Sequence, residues 1–195
     1  MKTIIAVTFI GILTYAFSKN PSKNTECNYK AIENFDSTRY LQITPIYSTY
    51  AKYGNLTVCR VFESITKSCD AVDINIYGYY QESGKIYYYE MVCSTTEETF
   101  NNGQYLADCK IVKDTSFADA YVPILYKLYM SVIDTDYENY AIIYSYISDE
   151  DGFEDNVEVL QKNPGASEKG KKNNENRKVK NALKKKGMKL EEFIP

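Results

Sequence analysis

A succession of short β-rich runs between Leu41 and Lys162 constrains the fold more than any other feature of this 195-residue chain. Turn-forming residues separate the runs at roughly the 8 to 12 residue spacing of an all-β barrel or sandwich, and no long helical pattern interrupts them. The predicted strands are residues 43–53, 57–65, 71–80, 85–94, 103–113, 120–133, 140–148 and 156–162. We therefore expect an all-β domain of eight strands.

Alternation within the strands predicts which side chains face the interior, because neighbouring residues of a strand point to opposite faces. Asp73, Glu90, Asp108 and Lys127 belong outside, so residues of the opposite parity belong inside. Those that we expect to line a cavity are Ile74, Ile76, Tyr87, Tyr89, Tyr105, Tyr126 and Met130. The interior is thus predicted to be rich in tyrosine, of which the chain has 20.

The chain has five cysteines, an odd number. Cys93 and Cys109 share the inward parity on neighbouring strands joined by a turn at Asn101-Asn102-Gly103, and we expect them to form a disulfide. A bridge closing a loop of that length contributes roughly 3 kcal/mol in the loop-entropy account. Any two of the other three can pair, so at least one thiol is free, blocked or joined to another chain. The three with open pairing are Cys27, Cys59 and Cys69.

The first residues have the pattern of a secretory signal peptide. An apolar run from Ile4 to Phe17 follows Lys2 and ends at Ala16-Phe17-Ser18, where small residues suit cleavage. The run is shorter than the roughly 20 residues that cross a bilayer. We expect residues 1–18 to be removed and the mature protein to be secreted and extracellular. Disulfides and a glycan at the sequon Asn55-Leu56-Thr57 then become reasonable expectations, and we expect a monomer unless the odd cysteine links two chains.

Charge divides the chain into an acidic body and a basic tail. Residues 19–161 hold 11 Lys and Arg against 22 Asp and Glu, whereas residues 162–195 hold 11 against 4. The acidic body repels phosphate backbones, which argues against a nucleic acid as partner of the domain. The tail either binds polyanions or membranes, or lies back on the acidic body; we expect the second.

The tail, residues 166–195 after a barrel domain of residues 19–165, has the pattern of a basic helix over Asn174–Met188. Its apolar stripe is thin, with Val179 and Leu183 and with Met188 or Leu190. Because such a stripe buries little surface, we expect a helix docked loosely on the barrel wall. The residues expected to hold its end are Phe193 and Ile194.

The absence of histidine from the sequence excludes several kinds of chemistry. Ser-His-Asp and Cys-His catalysis, haem on a proximal His and His-ligated zinc all require that side chain. The acidic residues of 149–155 are typical of a solvated loop. We expect no enzymatic activity, no metal site and no cofactor.

Tyrosine combines a large apolar face with a hydroxyl group, so a barrel lined with it can hold one small amphipathic molecule. The alternative is that the tyrosines are strand formers that fill the core or cover the outer wall.

Several segments occur in a characteristic order along the chain. They are Cys27 with Phe35 and Tyr40, the strand Pro45–Ala51, Thr135-Asp136-Tyr137 before Tyr140–Tyr144, and Val159-Leu160-Gln161-Lys162 before a terminal helix. In this order the chain resembles the salivary lipocalins of blood-feeding triatomine bugs, the group that includes triabin, pallidipin and procalin. Two departures are the lack of the usual Gly-x-Trp on the first strand and Tyr146 where relatives have a cysteine.

The resemblance implies an eight-stranded antiparallel up-and-down lipocalin barrel with a C-terminal α-helix. It also implies a salivary protein that counters host haemostasis or inflammation by binding an eicosanoid, a biogenic amine or a nucleotide in the barrel. The alternative that it implies is inhibition of platelet activation or of a clotting protease through surface contacts. The haem-carrying branch of the family is excluded by the missing histidine.

Overall fold

Eight antiparallel strands close into one barrel in the computed structural model, which describes residues 29–53, 57–68, 70–116, 125–149, 152–164 and 169–195. Each strand pairs with the next, and β8 pairs with β1. The strands are β1 Ile46–Ala51, β2 Thr57–Ser68, β3 Ala71–Glu82, β4 Lys85–Thr96, β5 Gln104–Asp114, β6 Leu125–Thr135, β7 Tyr140–Asp149 and β8 Gly152–Gln161. The predicted barrel is confirmed. The expectations for residues 1–18, Cys27, Asn55 and Cys69 lie outside the described residues.

Two short helices that the strand pattern did not predict flank the strands. Helix α1 spans Ser37–Gln42 and helix α2 spans Glu97–Asn101. Asp36 caps α1 by accepting a hydrogen bond from a backbone N–H, and Thr96 does the same for α2. Because α1 occupies the residues before it, β1 begins at Ile46 and not at residue 43.

An aromatic cluster closes one end of the barrel, where α1, α2 and the β6–β7 turn meet. Its ring centroids lie 5.3 to 6.4 Å apart. We call it the aromatic plug, and its members are Phe35, Tyr40, Phe100, Tyr105 and Tyr137. Gly103 fits beneath it with a φ of 70°, and a Cβ there would lie 2.9 Å from the Phe35 ring. At the opposite end β1, β3, β5 and β7 finish and β2, β4, β6 and β8 begin, and we call it the loop end.

A long helix, α3 (Lys169–Lys185), covers the outer face of β7 and β8, followed by a short 3-10 helix at Leu190–Glu192. Val179 and Leu183 are fully buried there. The docking is tighter than the expected loose contact, because Ala182 and both Met188 and Leu190 join the stripe. Phe193 is buried at the end of the tail. Ile194 has an exposed side chain and instead pairs through its backbone with Ala51.

An ion pair between described residues links this helix to the acidic body. The ammonium group of Lys178 lies 3.0 Å from the carboxylate of Asp136, in the turn between β6 and β7. This ion pair adds to the apolar contacts between α3 and the barrel.

A disulfide joins β4 and β5 across the inner face. Cys93 and Cys109 are directly opposite each other in the strand register, and both are buried. They are the pair that the strand parity predicts. Cys59 is an exposed free thiol in β2.

Candidate ligand-binding site in the barrel

The seven residues predicted to line a cavity lie at different depths of the barrel. Ile74, Ile76 and Met130 are buried in the interior core. Tyr105 belongs to the aromatic plug, and its hydroxyl donates to the sulfur of Met130 at 3.4 Å. The three others are partly buried towards the loop end. They are Tyr87, Tyr89 and Tyr126.

A row of residues across four strands places polar groups inside the barrel. Arg60 pairs with Gly78, Gly78 with Tyr89, and Tyr89 with Asp114. A Cβ on Gly78 would lie 1.9 Å from the carbonyl oxygen of Cys59, so β2 and β3 approach this closely only at a glycine. Over that glycine, the Nε of Arg60 donates to the Tyr89 hydroxyl at 2.8 Å.

A buried ion pair extends the row to β8. The guanidinium of Arg60 donates to one carboxylate oxygen of Glu158 at 2.8 Å, and the Ser48 hydroxyl donates to the other at 2.8 Å. The two charged side chains are 16% and 5% exposed. Burial by itself lowers the pKa of Arg60, but the carboxylate of Glu158 and the hydroxyl of Tyr89 outweigh it and raise the pKa above its ordinary value. Arg60 therefore stays charged inside the barrel.

Asp114, the last residue of β5, is a second buried carboxylate. Its oxygens accept from the Tyr80 hydroxyl at 3.0 and 3.1 Å, and one also accepts from the Ser116 backbone N–H at 2.8 Å. Burial and the nearby carboxylate raise the pKa of Tyr80, so its hydroxyl keeps its proton and donates. The Tyr80 ring lies 5.5 Å from that of Tyr87 and 6.1 Å from that of Tyr89.

Tyr126 completes the polar groups on the β6 side. Its hydroxyl contacts the sulfur of Met91, and burial raises its pKa while the charge of Arg60 opposes that rise. We call the whole set the polar belt. Its members are Ser48, Arg60, Tyr80, Tyr89, Asp114, Tyr126 and Glu158.

This arrangement suits the binding of an amphipathic molecule. The belt offers charges and hydroxyls, and the core between the belt and the plug offers apolar side chains such as Ile76 and Met130. Among the described residues, no three His, Cys, Asp or Glu side chains cluster in a way that could hold a metal ion. Nor does the described part of the chain contain a helix with the length and apolarity to cross a membrane.

The strand pattern missed the three charged members of the belt, although a signal for two of them is present. Arg60 shares its strand parity with Phe62, and Glu158 shares its parity with Leu160; both of those partners are buried in the core. A charge in phase with core residues, where alternation otherwise places apolar side chains, indicates a polar group inside the barrel.

Comparison with known proteins places these features in a family. The family model named Triabin matches residues 16–173. Triafestin-2 of Triatoma infestans is 34% identical over 171 residues, which cover 84% of this chain and 80% of that protein. Pallidipin of Meccus pallidipennis is 32% identical and covers 83% and 81%. A solved biogenic amine-binding protein shares the fold with a TM-score of 0.62 at 21% identity, covering 85% of this chain and 83% of that chain. With its lipocalin barrel, this chain belongs to the triabin family.

Proposed function

We propose that this protein is a secreted salivary lipocalin that binds a small amphipathic mediator of its host in the barrel and so counters haemostasis or inflammation. The observation that carries the proposal is the polar belt. A buried ion pair adds little or nothing to stability compared with apolar side chains of the same volume, so stability alone does not account for it. Family membership supports the secretion, the salivary source and the candidate mediators, which are eicosanoids, biogenic amines and nucleotides.

Binding suits these residues better than catalysis does. The chain has no histidine. Arg60, Tyr89 and Tyr126 have raised pKa values and keep their protons near neutral pH. Such groups orient a ligand through hydrogen bonds, and we propose no reaction for this site.

Calorimetry and native mass spectrometry with eicosanoids, biogenic amines and adenine nucleotides test the proposal. We expect one class to bind with a stoichiometry of one. The double variant Arg60→Met with Glu158→Leu should weaken that binding at least about tenfold and still fold, because replacing a buried ion pair by apolar residues is often neutral.

The matched control removes an ion pair on the outer wall. Lys127 and Asp108 lie 2.7 Å apart there with exposed side chains. The double variant Lys127→Gln with Asp108→Asn should bind like the wild type. A wild-type protein that binds none of the three classes would reject the proposal.

The outer wall supports a second candidate function, inhibition of platelet activation or of a clotting protease by surface contact. Tyr79, Ile86 and Val112 expose 46%, 59% and 41% of their surface on strands β3 to β5. Large exposed apolar patches are typical of protein contact sites, and these three side chains would belong to such a patch. Inhibition of aggregation or clotting that survives the Arg60→Met, Glu158→Leu change but is lost when these three become serine would favour this function.

A further inference from the structure

We propose that the loop end of the polar belt binds the ammonium group of a protonated organic amine, held by the Asp114 carboxylate among the rings of Tyr80, Tyr87 and Tyr89. This inference rests on the proposed binding function of the barrel and names the ligand class. It follows from the balance of charge in the belt, from the rings around Asp114 and from the pairing of Arg60.

The charges of the belt do not balance. Arg60 and Glu158 neutralise each other at 2.8 Å. Asp114 is only 8% exposed, and its hydrogen-bond donors in the described structure, the Tyr80 hydroxyl and the Ser116 N–H, are neutral. The sequence of residues 117–124, which follows β5, contains neither lysine nor arginine. Buried carboxylates are normally paired with a cation, so a positively charged ligand would complete this site.

The rings around this carboxylate favour the same kind of ligand. Tyr80 donates to Asp114, and Tyr89 lies directly opposite Asp114 in the strand register. The ring of Tyr87 lies 5.5 Å from that of Tyr80. Aromatic faces attract ammonium groups, and an ammonium group also forms a charge-assisted hydrogen bond to a carboxylate. Carboxylate and rings therefore act together on one cation.

The same residues disfavour the binding of anionic ligands. The cation that would attract them, Arg60, already donates to Glu158 and to the Tyr89 hydroxyl. A ligand carboxylate would have to displace Glu158, which also accepts from Ser48, and would leave that second negative charge buried. The Arg60–Glu158 pair thus selects against anions and leaves Asp114 as the charged group that faces a cation.

The test compares ligands of similar size and opposite charge by calorimetry on the full mature protein. The probes are 2-phenylethylamine, 2-phenylethanol and 3-phenylpropanoate, with arachidonate as a larger anion. We expect the amine to bind at least tenfold more tightly than the alcohol, and 3-phenylpropanoate to bind more weakly than both.

Asp114→Asn should reduce amine affinity at least tenfold, because the amide oxygen still accepts from Tyr80 but carries no charge. Asp108→Asn is the matched control, on the same strand with its carboxylate exposed on the outer wall, and should leave amine affinity unchanged. Tyr87→Leu, at a partly exposed position, tests the rings in case Asp114→Asn does not fold. It should weaken the binding of the amine more than the binding of the alcohol, because the loss of the cation–π contact affects only the amine.

The outcomes separate this inference from the function on which it rests. Binding of an anion but not of the amine, or equal amine affinity in the wild type and Asp114→Asn, overturns the ammonium site and leaves mediator binding standing. In that case Asp114 and Tyr80 only tie β5 to β3. If no member of this set and no mediator class binds, both proposals fall.

Discussion

The two ends of the barrel bury different chemistry, although the same eight strands build both. The plugged end packs the rings of Phe35, Tyr40 and Phe100 around one another with no charged side chain among the plug residues. The half near the loop end buries Arg60 and Glu158. Packed rings contribute stability in proportion to their buried area, whereas buried charges are costly to desolvate. The comparison indicates that the plug stabilises the fold, whereas the belt suits the proposed binding of a ligand.

The largest expected effect is at the plug. Phe100→Ala removes a fully buried ring that lies against Phe35, Tyr40 and Tyr105, and should lower the free energy of unfolding by about 4 kcal/mol. Urea unfolding measures the change, and calorimetry should show unchanged ligand affinity for the folded protein. A loss of affinity with little loss of stability would contradict the division between the two ends.

Glu158→Leu alone should lower the free energy of unfolding by nearly as much, for a different reason. It removes the carboxylate that lies 2.8 Å from the buried guanidinium of Arg60 and should reduce the free energy of unfolding by about 3 kcal/mol. Adding Arg60→Met should restore most of the loss, which a double-mutant cycle in urea measures. If the double variant is as unstable as the single one, the pair contributes to stability and the contrast with the plug fails.

An intermediate effect is expected at Asp136, in the turn beside the plug. Burial raises the pKa of this carboxyl, but hydrogen bonds from Asn139, Lys178 and the Tyr140 N–H lower it to about 2, from an ordinary 3.8. Its stabilisation is therefore complete above pH 3.8 and is lost as the pH falls towards 2. The loss should amount to about 1 to 2 kcal/mol in unfolding experiments from pH 5 to pH 2.

Asp136→Asn should flatten that dependence, because the amide does not titrate. Asp108→Asn, at an exposed carboxylate, should leave it in place. If the free energy of unfolding of Asp136→Asn depends on pH as strongly as that of the wild type, the acid sensitivity arises from other residues.

The smallest effect is expected at Tyr105. Its hydroxyl donates only to the sulfur of Met130, a weak acceptor, so Tyr105→Phe should change the free energy of unfolding by less than about 1 kcal/mol. The same deletion at Tyr89 should lower the free energy of unfolding more, because it removes the hydroxyl that accepts from the buried Nε of Arg60. Equal losses at the two tyrosines would show that the two ends do not differ in their polar chemistry.

Much of the fold could be predicted from the sequence where each strand has one polar face. In β3 the alternation of Asp73 and Asn75 with Ile74 and Ile76 gave the correct inner face, because the outer face there meets water. The short helices α1 and α2 were missed because five or six residues show no period, and their caps were the only signal.

The site was harder to predict, because alternation fails where both faces of a strand are covered. Val157 and Val159 pack under α3 on the outside, so Glu158 between them points inward, against the usual rule. Asp114 faces inward because a register shift in the β4–β5 pairing precedes it. The alternation within a strand predicts neither the covering helix nor the register shift.

Gly78 allows the polar belt to be recognised in other sequences of the family. Only hydrogen fits between this residue and the backbone of β2, and the contact from Arg60 to Tyr89 crosses the strand at that point. A relative with a larger residue at the equivalent position must hold the two strands farther apart or lose the register. Glycine together with arginine on the facing strand therefore serves as a fingerprint for sorting family members by the electrostatics of their interior.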